Sequence, residues 1–215
     1  MRSIPGSMRI YKTMARNAGR DDDVRYLFQP VVSLRDGSII GHTIQCCSRR
    51  QKNSAGLFAL DAVFRYMNSA DDRKLFLPLE SGMSSDGRFL CGAAVEKIVF
   101  EISSSRIPCM AVPNFLVVLD DANSLYPLSF FSEFRPQYIK LAASLVKKFR
   151  TDTPSYAFIK SIVEFCRAAG IDIIAEGVET QKELVGLIDI GVPYAQGDFI
   201  QEPAEQSDML RKEAY

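Results

Sequence analysis

The last third of the chain alternates between short apolar runs and stretches whose apolar residues recur at helical spacing. Three apolar runs begin near residues 138, 171 and 194, and each is followed by polar residues. The helical stretches between them end at Gly170 and Gly191. Glycine easily takes the left-handed conformation of a helix C-cap, so both positions suit a helix end. Strand, helix and strand in this order predict parallel βα units.

Five further strand candidates precede these, with starts near residues 27, 39, 75, 97 and 115. A turn signal at residues 35–38 separates the first two and predicts an antiparallel hairpin. Pro78 in the third candidate predicts an irregular or poorly paired strand. Residues 57–67 have the apolar spacing of one amphipathic helix. Eight strands with intervening helices predict a closed barrel.

The connections in the first half of this barrel are short of helical sequence. Twelve residues with two prolines separate positions 102 and 115, and residues 80–96 are rich in glycine. A parallel crossover normally needs about a dozen residues or more, most of them in a helix. We therefore predict an α/β fold, a (β/α)8 TIM barrel that opens on an antiparallel hairpin and has reduced or missing helices in its first half.

Composition and charge narrow the classes of function. The chain has 26 basic and 26 acidic residues among 215, so its net charge does not favour a nucleic-acid partner. No apolar run is long enough for a membrane span, and no secretory signal is visible. The five cysteines form no CxxC pair, which favours a reduced, cytoplasmic protein with buried, unpaired cysteines.

We divide the chain into three parts. Residues 1–24 have no long apolar period and are predicted to be a flexible N-terminal arm, of which residues 1–7 look like a remnant of cloning. Residues 25–205 form the barrel domain, and residues 206–215 form a C-terminal tail. The sequence leaves open whether the chain is a piece of a larger sensor.

Polar side chains end several of the predicted strands. Because the carboxyl ends of parallel strands meet at one face of a barrel, we expect these side chains to converge there. Carboxylate and amide oxygens suit Mg²⁺ or Mn²⁺, while a lysine suits a water or a phosphate oxygen. The alternative for each residue is a charge solvated at the rim. The candidates are Glu101, Asp120, Asp121, Lys140, Glu176, Glu179 and Gln196.

Several short motifs resemble those of the EAL family, the bacterial cyclic-di-GMP phosphodiesterase domains. They are YLFQPVV from Tyr26, LDD from Leu119, YIKL from Tyr138, IAEGVET from Ile174, and AQG from Ala195 with Pro203 after it. The resemblance spans about residues 25–205 and implies a modified TIM barrel with one antiparallel strand.

The resemblance also implies roles for individual residues. Glu101, Asp120 and Asp121 match metal-ligand positions, and Lys140 and Glu176 match the residues beside the catalytic water. The residues implied for a bound nucleotide are Gln29, Asp121, Lys140, Glu179, Gln196 and Pro203.

The chain departs from the family at positions on which the chemistry depends. The metal-binding asparagine of the family falls on Pro78, and the aspartate after the lysine motif falls on Ala142. The glutamate, alanine and leucine that name the family fall on Thr43, Ile44 and Gln45, the phosphate-gripping arginine on Cys47, and a loop-anchoring glutamate on Ser104. The changes at Thr43, Pro78 and Ala142 remove two carboxylates and an amide, which lowers the charge and the number of ligands below what Mg²⁺ requires.

These departures predict a catalytically inactive EAL-like domain that regulates bacterial signalling by binding another protein. The alternative is a receptor that binds cyclic-di-GMP without hydrolysis, and a third hypothesis is a weak phosphodiesterase that uses Mg²⁺ or Mn²⁺. Otherwise no cofactor is expected, and a homodimer stays open. A candidate docking patch, which core packing would equally explain, consists of Met110, Val112, Leu125, Tyr126, Phe130 and Phe131.

Overall fold

The computed structural model describes residues 24–48, 63, 66–67, 72–78, 95–102, 115–119, 131, 135–149 and 152–205. Within these ranges, eight strands form a closed barrel in chain order. The strands are β1 (Val24–Ser33), β2 (Ile39–Ser48), β3 (Lys74–Pro78), β4 (Ile98–Ile102), β5 (Phe115–Leu119), β6 (Tyr138–Leu141), β7 (Asp172–Ala175) and β8 (Tyr194–Ala195). The helices are α1 (Ala143–Lys148), α2 (Thr153–Ala169) and α3 (Gln181–Asp189), with a 3₁₀ turn at Val95–Lys97.

Strand β1 runs antiparallel to both of its neighbours, β2 and β8, whereas the other neighbouring strands are parallel. The turn between β1 and β2 is held by Asp36, whose side chain accepts a hydrogen bond from the Ser38 backbone N–H at 3.0 Å. The predicted barrel, its hairpin and its single antiparallel strand are therefore confirmed.

Strand β3 is regularly paired on both sides, so the prediction of an irregular strand is wrong. Its first three residues pair with Gly41–Thr43 of β2, and its last four, from Leu75 to Pro78, pair with β4. Pro78 is the last residue of the strand, where its missing N–H interrupts no ladder. Gly41 also permits the contact, because a Cβ there would lie 2.2 Å from the Lys74 carbonyl oxygen.

Apart from the 3₁₀ turn at Val95–Lys97, the connections predicted to lack helices lie outside the described residues, so that part of the fold stays a prediction. Of the helix predicted over residues 57–67, the described positions Val63, Tyr66 and Met67 are helical. Of the predicted docking patch, Phe131 is described, and its ring packs edge-on against Phe165 with centroids 5.1 Å apart. For Phe131 the structure therefore favours core packing over docking.

The two longer helices begin and end at the signals present in the sequence. Asp152 caps α2 by accepting from the Ser155 backbone N–H, and Gly170 ends α2 with a φ of 70°. Thr180 and Glu183 form a reciprocal capping box at the start of α3. These local bonds satisfy backbone groups that a helix leaves unpaired at its ends.

The core has an outer and an inner layer. In the outer layer the helices cover outward-facing strand residues such as Ile139 and Ile173. Cys166 of α2 is a free, buried thiol in this layer, and desolvation raises its pKa to about 12. None of the described helices is long and apolar enough to cross a bilayer.

The inner layer fills the barrel and determines where the polar site lies. Val99, Tyr138 and Ile174 belong to one buried cluster inside the strands. Side chains alternate along a strand, so positions two residues further on face the same side. Glu101 and Lys140 therefore follow Val99 and Tyr138 on the inner face, toward the carboxyl ends of β4 and β6.

Candidate functional site

Lys140 is the centre of the polar site. It projects from β6 into the barrel and its side chain is 2% exposed. Its Nζ lies 2.9 Å from Glu101 Oε2 and 3.3 Å from Glu176 Oε1. Desolvation opposes the charge, but the attraction of both carboxylates and the hydrogen bonds to them outweigh it, so the pKa of Lys140 is raised. The ammonium is therefore a permanent cation between two carboxylates.

A second polar pair extends this site toward β2. The Thr43 hydroxyl donates to Gln196 Oε1 at 2.7 Å, and both side chains are buried. The Gln196 amide nitrogen lies 3.5 Å from Glu176 Oε1, which is a long contact. The site is thus a connected row of Thr43, Gln196, Glu176, Lys140 and Glu101.

Gln196 is held in place by the backbone around Gly197. Its N–H donates to the Ala175 carbonyl at 2.9 Å, and its carbonyl accepts from the Val178 N–H at 3.1 Å. A Cβ on Gly197 would lie 2.2 Å from the Val178 backbone nitrogen, so only glycine fits. The AQG sequence therefore sets the side-chain position of Gln196 through close backbone packing.

Gln29 belongs to a neighbouring cluster that the sequence did not reveal. Its Nε2 donates to Asp198 Oδ1 at 3.0 Å and to the Gln201 carbonyl at 3.2 Å. Gln45 Nε2 lies 3.5 Å from Gln29 Oε1. Gln29 is the register partner of Thr43, so this cluster adjoins the row around Lys140. An acidic residue just after the glycine that follows β8 was the available signal for Asp198.

The other residues predicted for the site lie outside the row around Lys140 or outside the described part of the chain. Glu179 points outward and pairs with Lys147 of α1 at 2.8 Å, with about half of each side chain exposed. Pro203 lies beside the bridge between Phe28 and Ala204. The structure therefore brings Gln29, Glu101, Lys140, Glu176 and Gln196 to one barrel mouth and leaves Glu179 outside it. Asp120, Asp121, Ser104, Met110, Val112, Leu125, Tyr126 and Phe130 lie outside the described residues.

The described donor set does not fit a two-metal centre. The Thr43 hydroxyl directs its hydrogen to Gln196, while Pro78 and Ala142 have no side-chain oxygen. Glu101 and Glu176 already share the Lys140 ammonium. In the ranges that the structure describes, no group of three His, Cys, Asp or Glu side chains is placed to hold a metal ion. No catalytic step through a metal is derived from these residues.

Comparison with known sequences places the chain among EAL proteins. A family model described as the EAL domain matches residues 93–203. Cyclic di-GMP phosphodiesterase PdeB of Shewanella oneidensis is 37% identical over 90 residues, which are 41% of this chain and 10% of PdeB. RocR of Pseudomonas aeruginosa, also a cyclic di-GMP phosphodiesterase, is 30% identical over 125 residues, 53% of this chain and 32% of RocR. The RNase E specificity factor CsrD of Escherichia coli is 32% identical over 76 residues, 35% of this chain and 12% of CsrD.

These matches span a third or less of the relatives' own lengths. Among solved structures, the EAL enzyme Bd1971 with cAMP and cyclic-di-GMP bound has a TM-score of 0.72 at 16% identity, over 95% of this chain and 68% of that one. An EAL domain protein from Listeria monocytogenes has a TM-score of 0.72 at 15% identity, over 98% of both chains. At these identities the likeness shows the fold. With the same barrel and a family model that matches just over half of its residues, the chain belongs to the EAL family.

Proposed function

We propose that this EAL-domain protein does not hydrolyse cyclic-di-GMP and instead regulates bacterial signalling in the cytoplasm by binding another protein. The observation that carries the proposal is the bond from Thr43 to Gln196. Thr43 stands where the family has a metal-binding glutamate, and its hydroxyl is neutral and already used as a donor. A position that should supply a negative oxygen ligand supplies a satisfied hydroxyl instead.

Electrostatics supports the same proposal. The described row contains one ammonium and two carboxylates, which leaves a single net negative charge around Lys140, Glu101 and Glu176. Two divalent cations need several carboxylates to offset their charge. Because the metal generates the attacking hydroxide in such sites, weak metal binding predicts a loss of hydrolysis by orders of magnitude.

The similar proteins include phosphodiesterases and a protein named for a different role. PdeB and RocR are cyclic di-GMP phosphodiesterases, whereas CsrD is an RNase E specificity factor. A role other than phosphodiesterase therefore exists among proteins similar to this chain.

A second candidate function is a receptor that binds cyclic-di-GMP without cleaving it. The observation that favours it is the convergence of Gln29, Lys140, Glu176 and Gln196 at one barrel mouth. All four stand at positions that the resemblance assigns to the nucleotide or to the water. Their present bonds are made within the chain, so a nucleotide would have to replace some of them.

Isothermal titration of cyclic-di-GMP tests both functions. The titration is done with Mg²⁺, with Ca²⁺ and with a chelator, and the mixture is then analysed by chromatography for the linear dinucleotide. No heat and no cleavage support the protein-binding function. Micromolar binding without cleavage supports the receptor, provided that Lys140→Ala or Gln196→Ala abolishes it while the exposed controls Lys160→Ala and Gln181→Ala do not. Metal-dependent cleavage at the rate of an active relative would refute the proposal.

A further inference from the structure

A cleft on the outer surface of the barrel lies between the start of α2 and the end of α3. It encloses about 350 Å³. Its floor is formed by Phe149 and Gly186, which are buried, and by the half-buried Ile190. The exposed lining residues form its rim and are Asp152, Thr153, Tyr156 and Asp189. We call this surface, with these seven residues, the acidic cleft.

The charged residues among the described lining of the acidic cleft are of one sign. Asp152 and Asp189 both line it, and no lysine or arginine is among the described residues that do. The hydrogen bonds that Ser155 donates to the Asp152 carboxylate lower its pKa, so Asp152 is ionised at neutral pH. The charge of Lys148, a described residue outside the lining, also lowers the pKa of Asp152.

Apolar side chains are exposed around the same surface. Tyr156 is 41% exposed in the rim. Val185 and Ile188 of α3 are 45% and 47% exposed, and Val185 shares a helix face with the rim residue Asp189 four positions later. These are three of the four large hydrophobic side chains exposed in the described part of the chain. Exposed apolar groups next to a polar recess are typical of protein interfaces.

We propose that the acidic cleft docks an arginine- or lysine-bearing segment of a partner protein, which deepens the proposed protein-binding function and rests on it. A guanidinium pairs well with a carboxylate because its donors match the two oxygens. The aliphatic stem of such a side chain packs on Phe149 and Ile190, and the Tyr156 ring attracts the cation. The volume of about 350 Å³ has room for a long side chain and not for a helix.

Peptide binding tests this docking site. The probe is a fluorescein-labelled hexapeptide of alternating leucine and arginine, and its matched control contains citrulline in place of each arginine. Fluorescence anisotropy at low salt with the full chain is expected to show micromolar binding of the arginine peptide and at least tenfold weaker binding of the citrulline peptide. Binding is also expected to weaken as salt is added, because salt screens exposed charges.

Two double variants show whether the peptide binds in the acidic cleft or is attracted to any acidic part of the surface. Asp152→Asn/Asp189→Asn removes both rim charges, and asparagine is also a good N-cap, so α2 keeps its start. Glu164→Gln/Glu202→Gln removes the same charge at exposed positions outside the lining. The first variant is expected to lose at least tenfold in affinity and the second less than twofold, with both melting as the wild type does.

Equal losses in the two variants, or equal binding of the two peptides, would overturn the docking site. So would a dimer in solution that only Asp152→Asn/Asp189→Asn converts to a monomer, since the cleft would then belong to a second copy of the chain. These outcomes are independent of cyclic-di-GMP cleavage, which alone decides whether the proposed lack of catalysis fails.

Discussion

Replacing Lys140 with methionine removes the only ammonium in the described row and leaves two carboxylates facing each other. Breaking a buried ion pair by deleting one partner costs about 3–5 kcal/mol. The Glu101 and Glu176 side chains are 17% and 33% exposed, so water reduces the penalty and we take the lower end of that range. In a domain of this size, each kcal/mol shifts the melting temperature by about 2–4 °C. Lys140→Met is therefore expected to melt about 6–12 °C below the wild type.

Thermal unfolding followed by circular dichroism measures this shift. Lys160→Met is the matched control, because Lys160 is exposed on α2 and its substitution should change the stability by less than about 0.5 kcal/mol. Lys140→Met/Glu101→Gln should recover part of the loss, since it removes one of the two uncompensated charges. A melting temperature for Lys140→Met within 2 °C of the Lys160→Met control, allowing for the scatter of about 0.5 kcal/mol at surface sites, would refute the reasoning. Failure of the second substitution to restore any stability would refute the electrostatic explanation.

Three further predictions follow from single contacts. Thr43→Val leaves Gln196 Oε1 without its buried donor and should cost about 1–3 kcal/mol in urea unfolding, whereas Thr43→Ser should cost less because it keeps the hydroxyl. Gly197→Ala places a methyl group against the Val178 backbone, and a loss of about 3 kcal/mol or more in the same assay is expected; a wild-type midpoint would contradict the close packing. Desolvation, followed by the charge of Asp172, raises the pKa of Tyr138 from 10.0 to about 12, so the stability contributed by its neutral form is present below pH 10 and lost as the pH rises toward 12. Tyr138→Phe should therefore lose less stability than the wild type between pH 9 and pH 11, and parallel losses would show that Tyr138 is not responsible.

Much of the fold was predictable because its signals are local. Apolar runs, a turn sequence and helix caps are each contained in a few consecutive residues, and the predicted strand starts lie within three residues of the observed ones. The regular pairing of β3 was not predictable from Pro78. Whether a proline interrupts a ladder depends on its position relative to neighbouring strands, and only pairing with β2 and β4 reveals that position.

The polar site was predictable in part. The positions of Glu101, Lys140 and Glu176 at strand ends correctly predicted that the three side chains lie close together, because the barrel places the carboxyl ends of its parallel strands at one mouth. Glu179 carried the same kind of signal and yet points outward to Lys147, since it lies three positions beyond Glu176 in the loop that leads to α3. The partnership of Gln29 with Asp198 joins residues 169 positions apart, which no local pattern encodes.

The sequence by itself determined the order of strands and helices, the resemblance to the EAL family, and the neutral residues at Thr43 and Ala142, because residue identity and short-range spacing are properties of the chain alone. Tertiary structure decided which partners the polar groups at the barrel mouth have. Only barrel closure brings the hydroxyl of Thr43 to Gln196 and the ammonium of Lys140 between two carboxylates. It also packs α2 beside α3 and so forms the acidic cleft. Distances between groups far apart in the chain exist only after folding, and those distances set which charges and hydrogen bonds are satisfied.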